Sequence, residues 1–347
     1  MFELRPFVSI IVPARNEERY IASCLESILQ GDYPTDRLEV LVVEGGSQDH
    51  TRELVASFAA RHPTVRLLDN PGHITPVALN IGVRAAIGEI IMRMDAHVIY
   101  PRSYVAQLVT ALDETVADGV GGVILTLPAN DTPVARAIAL ALGHPFGVGN
   151  AYFRIGARRR RWVDAAAFGC YRRAVFDRVG LFDEELIRNQ DDEFDLRLIK
   201  HGGRILLLPE AVAFYYARGS LRQVGQMYFQ YGYFKPLVAK KLGRVMTVRQ
   251  LVPASFLVSL GSTALLGLWW SPAAILFAGI LGSYVTACVG CAAGAVRQAG
   301  VRSAVALLAV FPVLHVCYGL GFLKGIGHHL LGLRRRSADA SAIALSR

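Results

Sequence analysis

The chain contains 347 residues, of which 53% are hydrophobic and 19% are charged. This composition excludes a disordered protein and a small disulfide scaffold, and it favours lipid contact for part of the chain. The formal net charge is +9, and all but one of the 28 acidic residues precede residue 251. The sequence has no basic stripe interleaved with aromatic residues, so no nucleic-acid partner is expected. Its N-terminus has no apolar signal region, so the first domain is expected in the cytosol.

Short apolar strands alternate with helices along the N-terminal part of the chain. Strands are predicted at Val8–Val12, Leu38–Val43, Val65–Leu68 and Ile90–Met94, and helices at Glu17–Leu29, at Thr51–Arg61 and from Thr75 onward. Because apolar residues dominate each strand, the pattern predicts an α/β fold whose mostly parallel sheet is covered by helices on both faces.

Polar residues follow three of these strands at the point where each strand ends. They are Pro13–Glu17 after the first strand, Glu44–Asp49 after the second and Asp95–His97 after the fourth. Ligands of open parallel sheets bind at the carboxyl ends of the strands, so these loops are the expected binding site. The sequence contains neither GxGxxG after the first strand nor a P-loop, which disfavours a dinucleotide oxidoreductase and an ATPase.

Asp95 and His97 are the predicted metal ligands. Alternate residues of a strand point the same way, so both side chains can reach one site. Carboxylate and imidazole ligation suits Mg²⁺ or Mn²⁺ that bridges a diphosphate. The alternative is a carboxylate at Asp95 that only caps the following helix.

Four acidic residues crowd into the five positions 191–195, namely Asp191, Asp192, Glu193 and Asp195. Their repulsion would cost stability unless a cation or a proton balances it. A solvated helix N-terminus is the alternative, because acids there complement the helix dipole. Phe194 and Leu198 indicate that the stretch is partly buried, which favours a working carboxylate.

Long uncharged runs dominate the C-terminal third. Residues 220–250 are predicted to lie at the membrane surface as an amphipathic, aromatic and basic segment, with a core helix as the alternative. Leu251–Trp270 and Pro272–Val296 are each long enough to span a bilayer, and a tight hairpin joins them. Ser303–Leu323 is a third run that either crosses the membrane or is re-entrant, because a proline, a histidine and several glycines interrupt it.

Basic residues before the first run place the large domain on the cytosolic side. They are Lys240, Lys241, Arg244 and Arg249. The predicted organisation is a cytosolic domain at 1–219, an interfacial segment at 220–250, a membrane domain of two or three transmembrane helices at 251–333 and a basic, polar tail at 334–347. The protein is expected to be a multi-pass protein of the inner (plasma) membrane.

Taken in order, these motifs resemble an inverting family 2 glycosyltransferase of the GT-A, Rossmann-like fold, over about residues 6–235. The matching stretches are Val8–Glu17, Val42–Asp49, Leu79-Asn80, Gly88-Glu89, Met94–His97, Phe168–Arg173, Gly180–Glu184 and Gln190–Asp192. More narrowly, Arg93–His97 and Arg188–Asp192 resemble the branch that contains the succinoglycan-type glucosyltransferases of exopolysaccharide synthesis, which act on a polyprenyl-diphosphate-linked sugar.

The resemblance implies a role for each site residue. Pro13, Arg15 and Glu17 would line the nucleotide pocket, and Glu44 stands where the family usually has the aspartate that contacts uracil. Asp95 would bind the metal and the diphosphate, and His97 replaces the second aspartate of the usual Asp-x-Asp. The remaining candidates are Asp192 as catalytic base, Asp191 as the residue that orients it, and Arg93, Arg172 and Arg218 as substrate contacts, with a surface role as the alternative for Arg172 and Arg218.

The function expected from these features is metal-assisted transfer of a hexose, with glucose as the expected sugar, from a UDP-sugar to a hydroxyl of a polyprenyl-diphosphate-linked saccharide. The expected partners are therefore a nucleotide sugar, a lipid-linked acceptor and membrane lipid, and the expected cofactor is Mg²⁺ or Mn²⁺. Two alternatives stay open. One is a polyprenyl-phosphate sugar synthase, whose phosphate acceptor needs no base, and the other is an inactive membrane protein that binds a sugar nucleotide.

Overall fold

A computed structural model describes residues 5–243 and 247–333 of the chain. These residues divide into two compact units. The first unit contains the chain up to Leu125 together with Ala151–Tyr216, and the second contains Thr126–Asn150 and the chain from Ala217 onward. Residues 126–150, which the sequence assigned to the first domain, thus belong to the second unit. Arg244 and the predicted tail at 334–347 lie outside the described residues.

The secondary structure follows the predicted order in the N-terminal part. The strands are β1 (Val8–Ala14), β2 (Leu38–Glu44), β3 (Val65–Asp69), β4 (Ile90–Arg93), β5 (Val98–Ile99), β6 (Gly119–Leu127), β7 (Arg161–Val163), β8 (Ala167–Arg172) and β9 (Ile205–Tyr216). The helices are α1 (Ile21–Leu29), α2 (Thr51–Arg61), α3 (Thr75–Ala85), α4 (Tyr104–Glu114), α5 (Pro133–Leu142), α6 (Pro145–Val148), α7 (Tyr152–Ile155), α8 (Arg173–Val179), α9 (Gln190–Lys200), α10 (Leu221–Leu242), α11 (Val252–Leu266) and α12 (Ser271–Gly325). Short 3₁₀ turns lie at Thr35–Arg37 and Val248–Gln250, and a π-helical turn lies at Ile326–Leu330.

The strands form one sheet in the order β3-β2-β1-β4-β8-β6-β9-β5, and β7 pairs with β9. Strands β1 to β4 are parallel, with Val8 opposite both Leu38 and Ile90. The pairs β4–β8, β6–β8, β5–β9 and β7–β9 are antiparallel. The α/β class is therefore confirmed, but the sheet is mixed and the prediction of a mostly parallel sheet is wrong. The alternation that supported it covered only β1 to β4, and the later strands β5 to β9 pair antiparallel, which needs no helical crossover.

Strands β1 and β2 form the buried centre of the first unit. Every residue of β2 and every residue of β1 except Pro13 is buried. Helix α3 packs so closely on β1 that a Cβ atom on Gly82 would collide with Ile11. Polar residues beyond the carboxyl ends of these strands therefore project from a rigid base, which suits the precise placement of functional groups.

An aromatic cluster holds helix α9 against the sheet. Phe194 is fully buried, and its ring centroid lies 5.1 Å from that of Phe176 and 4.6 Å from that of Phe182. The Asn80 side chain fixes Phe182 by donating to its carbonyl and accepting from its backbone N–H, both at 2.9 Å. These contacts set the position of the α9 N-terminus, which begins at Gln190.

In the second unit, α10 packs against α12. The apolar residues that predicted an interfacial segment, including Val224, Met227 and Phe234, are buried. The helices approach each other so closely that a Cβ atom on Gly321 would collide with the Phe229 carbonyl. The core-helix alternative therefore accounts for the apolar face of α10.

Among the described residues, one helix is long and apolar enough to cross a membrane, Ser271–Leu330. Within it, Gly300 has φ 77° and ψ 161°, which separates a segment at 271–299 from one at 301–325. Helix α11 has 15 residues, or about 22 Å at ~1.5 Å per residue, which is short of a hydrocarbon core of about 30 Å. The predicted set of two or three transmembrane helices is corrected to one candidate, because the first apolar run folds into too short a helix.

Candidate active site

The loops that follow β1 and β2, which the sequence assigned to the binding site, are joined by hydrogen bonds. The Asn16 N–H donates to Ser47 Oγ at 2.9 Å, and the Gln48 N–H donates to Asn16 Oδ1 at 2.8 Å. The Glu17 N–H donates to Thr51 Oγ1 at 2.7 Å. Asn16 adopts φ 53°, a left-handed conformation that asparagine tolerates better than most residues. The two loops therefore form one connected wall at the edge of the sheet.

Glu44 is a buried carboxylate at the end of β2. It accepts from the Ser47 N–H at 2.6 Å and from Arg52 Nη1 at 3.2 Å. Burial alone would raise the pKa of Glu44, but the hydrogen bonds from Ser47, Gly46 and Arg52 outweigh it and lower the pKa. Glu44 is therefore ionised at neutral pH, and its negative charge is held in place by the β2–α2 loop.

His73 joins this region, although the sequence did not single it out. Its Nδ1 lies 2.8 Å from the Gly45 carbonyl, and its own carbonyl accepts from Arg15 Nη1 at 3.3 Å. A Cβ atom on Gly46 would lie 2.8 Å from the His73 ring. His73 adopts φ 58°. The only sequence signal was its position in the Pro71-Gly72 turn before α3, and that signal does not reveal which loop the ring touches.

Two of the predicted site residues, Glu17 and His97, meet directly. His97 Nδ1 lies 3.1 Å from Glu17 Oε1, and both side chains are largely buried. The His97 ring also packs edge-on against Tyr215, with centroids 5.0 Å apart. The Glu17 carboxylate therefore fixes the imidazole that was predicted to bind metal.

Arg93, at the end of β4, connects two further candidates. Its Nη2 lies 2.9 Å from Asp95 Oδ1, and its Nη1 lies 2.8 Å from Asp191 Oδ2. Asp191 stands in the first turn of α9, 98 residues away in the chain. The structure therefore brings the predicted metal-binding carboxylate and the acid-rich helix together through a single guanidinium group.

The crowded acids of α9 are balanced separately. Asp191 is paired with Arg93, and Glu193 Oε1 accepts from Arg197 Nε at 2.8 Å. Asp195 is fully buried, and its carboxyl accepts from the Tyr171 hydroxyl at 2.5 Å. Burial raises the pKa of Asp195 to about 8, against the opposing effect of hydrogen bonds from Tyr171 and Ala166. Two cations and one proton thus offset the repulsion that the sequence pattern implied.

Asp192 follows Asp191 in the same turn, and its N–H donates to Asp191 Oδ1 at 2.9 Å. The predicted base and its predicted orienting partner are therefore adjacent, with Asp191 held from two sides. Both stand at a helix N-terminus, where the dipole favours negative charge.

Arg172 and Arg218 do not join this cluster within the first unit. Arg172 lies opposite Ile90 at the start of β4, whereas Arg93 ends that strand. The Nη2 of Arg172 donates to the Leu112 carbonyl at 2.8 Å. Arg218 belongs to the second unit, where it is buried. Arg172 therefore lies at the opposite end of the β4–β8 pair from Arg93.

The described residues contain no group of three or more His, Cys, Asp or Glu side chains placed to hold a metal ion. Asp95 remains 22% exposed although Arg93 occupies one of its oxygens. Mg²⁺ in phosphate-transfer sites commonly uses one or two carboxylates, with water and substrate phosphates as the other ligands. Asp95 can supply one carboxylate to an ion of that kind, and the described residues form no all-protein cage.

The fold is shared with a solved structure, "Mannosyltransferase PcManGT from Pyrobaculum calidifontis in complex with GDP-Man and Mn2+". The TM-score is 0.59 at 23% sequence identity, over 93% of this chain and 88% of that one. This match and the mixed α/β sheet identify the fold as GT-A. Residues 9–180 match the profile of glycosyl transferase family 2. The chain belongs to that family and is a glycosyltransferase, which confirms the predicted resemblance.

Two curated relatives narrow the comparison. The chain is 29% identical to "Succinoglycan biosynthesis protein ExoA" of Rhizobium meliloti (strain 1021), over 95% of this chain and 96% of that protein. It is 28% identical to a Methanococcus voltae enzyme over 76% of this chain and 82% of that protein. That enzyme is named dolichyl N-acetyl-alpha-D-glucosaminyl phosphate 3-beta-D-2,3-diacetamido-2,3-dideoxy-beta-D-glucuronosyltransferase. The chain is thus related to a succinoglycan biosynthesis protein and to a transferase that acts on a lipid-linked sugar.

Proposed function

We propose that this glycosyltransferase moves glucose from UDP-glucose to a hydroxyl of a polyprenyl-diphosphate-linked saccharide during exopolysaccharide synthesis, with inversion at the anomeric carbon. The observation that carries the proposal is the chain of contacts Asp95–Arg93–Asp191, which joins the end of β4 to the start of α9. The name of the Rhizobium meliloti relative supports the pathway, and the name of the Methanococcus voltae relative supports a lipid-linked acceptor.

The donor is proposed to bind against the joined loops after β1 and β2. Pro13, Arg15, Glu17 and Glu44 would contact the nucleotide, together with His73, which lies against Gly45 and Arg15. Glu44 keeps a fixed negative charge at the end of β2, and a pyrimidine base that donates to it would share its carboxylate with Ser47 and Arg52. A rigid carboxylate suits this recognition because a substrate that leaves it unpaired loses binding free energy.

Asp95 and His97 would hold a divalent cation between the protein and the diphosphate. When bound, the cation would neutralise negative charge on the leaving nucleoside diphosphate. Glu17 orients the His97 ring by accepting a hydrogen bond from its Nδ1. Carboxylates outside the metal's own ligands commonly orient metal-binding histidines in this way. The Mn²⁺ named with the Pyrobaculum calidifontis structure belongs to that protein and supports metal dependence here only through the shared fold.

The catalytic base is proposed to be one of the two adjacent acids, and the contacts favour Asp191 over the sequence choice of Asp192. Asp191 is tied through Arg93 to Asp95, so it lies next to the expected position of the leaving group. The carboxylate takes a proton from the acceptor hydroxyl. The hydroxyl oxygen then bonds to the anomeric carbon as the bond from that carbon to the diphosphate oxygen breaks, so one displacement converts an α-linked donor into a β-linked product.

Membrane attachment is proposed to use helix α12. Its residues Ile275, Leu276, Val285 and Val289 are about half exposed or more, and an exposed apolar surface of this extent marks contact with lipid or a partner. The exposed Trp269 and Trp270 precede the helix, in keeping with the preference of tryptophan for the membrane interface. The basic residues Lys240, Lys241 and Arg249 favour a cytosolic position for the catalytic unit.

The test is incubation of membranes containing the full chain with radiolabelled UDP-glucose, UDP-galactose, UDP-N-acetylglucosamine or GDP-mannose, followed by lipid extraction. The expected result is label from UDP-glucose in the lipid phase, only when the membranes contain lipid-linked saccharide. Transfer of label to polyprenyl phosphate in the absence of that acceptor, if the Asp191→Asn variant still catalyses it, would identify a polyprenyl-phosphate sugar synthase. Neither transfer nor hydrolysis of any donor would identify an inactive binder.

A further inference from the structure

Arg93 is a buried arginine that binds two carboxylates from different elements, and the proposed function assigns it no role of its own. Its side chain is only 13% exposed, and its two terminal nitrogens bind two different carboxylates. Its Nε is buried without a hydrogen-bond partner among the residues that the structure describes. Asp95 follows it by two positions on the strand, and Asp191 comes from a separate helix.

The guanidinium is permanently cationic in this setting. Burial lowers the pKa of Arg93, but the nearby charges of Asp95 and Asp191 raise it further, so the net direction is upward. A planar guanidinium holds two acceptors at a fixed separation, which a flexible lysine ammonium does not do. Removing this cation would leave the two carboxylates without the group that joins them, and Asp191 would then be harder to ionise.

We infer that Arg93 is a positioning residue that holds the donor-side carboxylate of Asp95 and the acceptor-side carboxylate of Asp191 in register and keeps Asp191 ionised. The sequence had grouped Arg93 with the substrate contacts. In the structure both terminal nitrogens already bind protein carboxylates, so its part in the reaction is to set the distance between the two halves of the site. This inference rests on the proposed role of Asp191 as base.

The expected signature is a change in pH dependence together with a loss of kcat. The acid limb of the kcat/KM profile reports ionisation of the base in the free enzyme. Arg93→Met removes the cation, so the acid limb should move upward by about one pH unit or more. Arg93→Lys keeps the positive charge but loses the planar guanidinium that binds both carboxylates. Its acid limb should therefore stay near the wild-type position while kcat falls.

The experiment measures kcat, donor KM and the pH profile of the full chain in lipid nanodiscs, with Arg173→Met as the matched control. Arg173 is a half-buried arginine of the same unit that donates to the backbone carbonyls of Gly88 and Ala86 at 2.8 and 2.6 Å. Its substitution tests the general cost of removing a buried guanidinium and should leave the acid limb in place. Calorimetric titration with UDP is the second readout, and Arg93→Met should change that affinity by less than about tenfold.

A rise of tenfold or more in donor KM and in the UDP dissociation constant, with kcat and the acid limb unchanged, would overturn the inference and make Arg93 a substrate contact. If Arg93→Met does not fold, Arg93→Gln replaces it, because it removes the charge and keeps a donor. Failure of the proposed function is separately visible. If Asp191→Asn is active, Asp191 is not the catalytic base and the proposed function fails at that step. If Asp191→Asn is inactive but the acid limb of Arg93→Met does not move, only the positioning role of Arg93 is refuted.

Discussion

The buried acid of helix α9 gives the prediction that the structure determines most fully. Asp195 is fully buried, and its carboxyl accepts from the Tyr171 hydroxyl at 2.5 Å and from the Ala166 N–H at 3.2 Å. Burial raises its pKa from 3.8 to about 8, even though both hydrogen bonds act to lower it. Asp195 is therefore neutral at pH 7 in the folded protein, and Asp195→Asn replaces it with a side chain of similar shape that does not titrate.

The sign and size of the effect follow from proton linkage. Below about pH 4 the Asp195 carboxyl is protonated in both folded and unfolded chains, and it costs no stability. Between about pH 4 and about pH 8 the folded protein holds a proton that the unfolded chain has lost. The free energy of unfolding therefore falls by about 1.4 kcal/mol for each pH unit, on the order of 5 kcal/mol over the interval. Above it both states are ionised and the loss stops growing.

The assay is thermal unfolding of the full chain in detergent micelles at a series of pH values, followed by far-ultraviolet circular dichroism. Wild-type Tm should fall as the pH rises from mildly acidic to mildly alkaline, and Asp195→Asn should show a markedly flatter profile. A step of 1 kcal/mol corresponds to roughly 2–4 °C for a domain of this size. Asp177→Asn, at an exposed acid of α8, is the control. Parallel profiles for wild type and Asp195→Asn would refute the reasoning.

Two further predictions concern the donor loop and the membrane helix. His73→Ala removes the ring that contacts the Gly45 carbonyl, so donor KM should rise by about tenfold, equivalent to ~1.4 kcal/mol of binding, with little change in kcat; an unchanged KM in steady-state assays would place His73 outside the donor site. In a Trp162→Phe variant the remaining tryptophans, Trp269 and Trp270, report on the start of α12. Lipids brominated near the head group should quench their fluorescence more strongly than lipids brominated at the chain end. Fluorescence that no brominated lipid quenches would contradict membrane contact at this position.

The N-terminal fold could be predicted because its determinants are local. The runs at β1, β2, β3 and β4 are mainly apolar, are separated by helical patterns and end in polar loops. These signals indicate both the parallel pairing and the edge at which the site is expected. The antiparallel strands β6 to β9 are different. Their pairing depends on contacts between distant residues, such as Ile90 with Arg172, and nothing in the local pattern distinguishes their direction.

The candidate site was partly predictable for the same reason. Glu17, Glu44, Asp95 and His97 follow strand ends, so the sequence expected them at one edge of the sheet, and Glu17 and His97 do meet there. The bridge from Arg93 to Asp191 was not predictable, because it depends on how α9 packs through its aromatic cluster. His73 was missed because a turn residue gives no sign of the loop it will touch.

The predictions of an interfacial segment and of several transmembrane helices failed because they were based on composition alone and not on how the helices pack. An apolar run predicts burial, but it does not decide between lipid and protein as the surroundings. Helix α10 buries Val224 and Phe234 inside the second unit, and α11 is too short to span a bilayer by itself. Gly300 interrupts the apolar run from Ser271 to Leu330 with a non-helical backbone conformation, and hydropathy does not report that break.

The account depends most on a carboxylate of α9 that removes the acceptor proton beside Asp95. The most direct measurement is the rate of sugar transfer to lipid-linked acceptor by Asp191→Asn and by Asp192→Asn, in matched membranes at equal protein levels. The account predicts that Asp191→Asn lowers the rate by at least about a thousandfold, within the range that base catalysis supplies, while Asp192→Asn retains much of it. Full activity of Asp191→Asn would contradict the account.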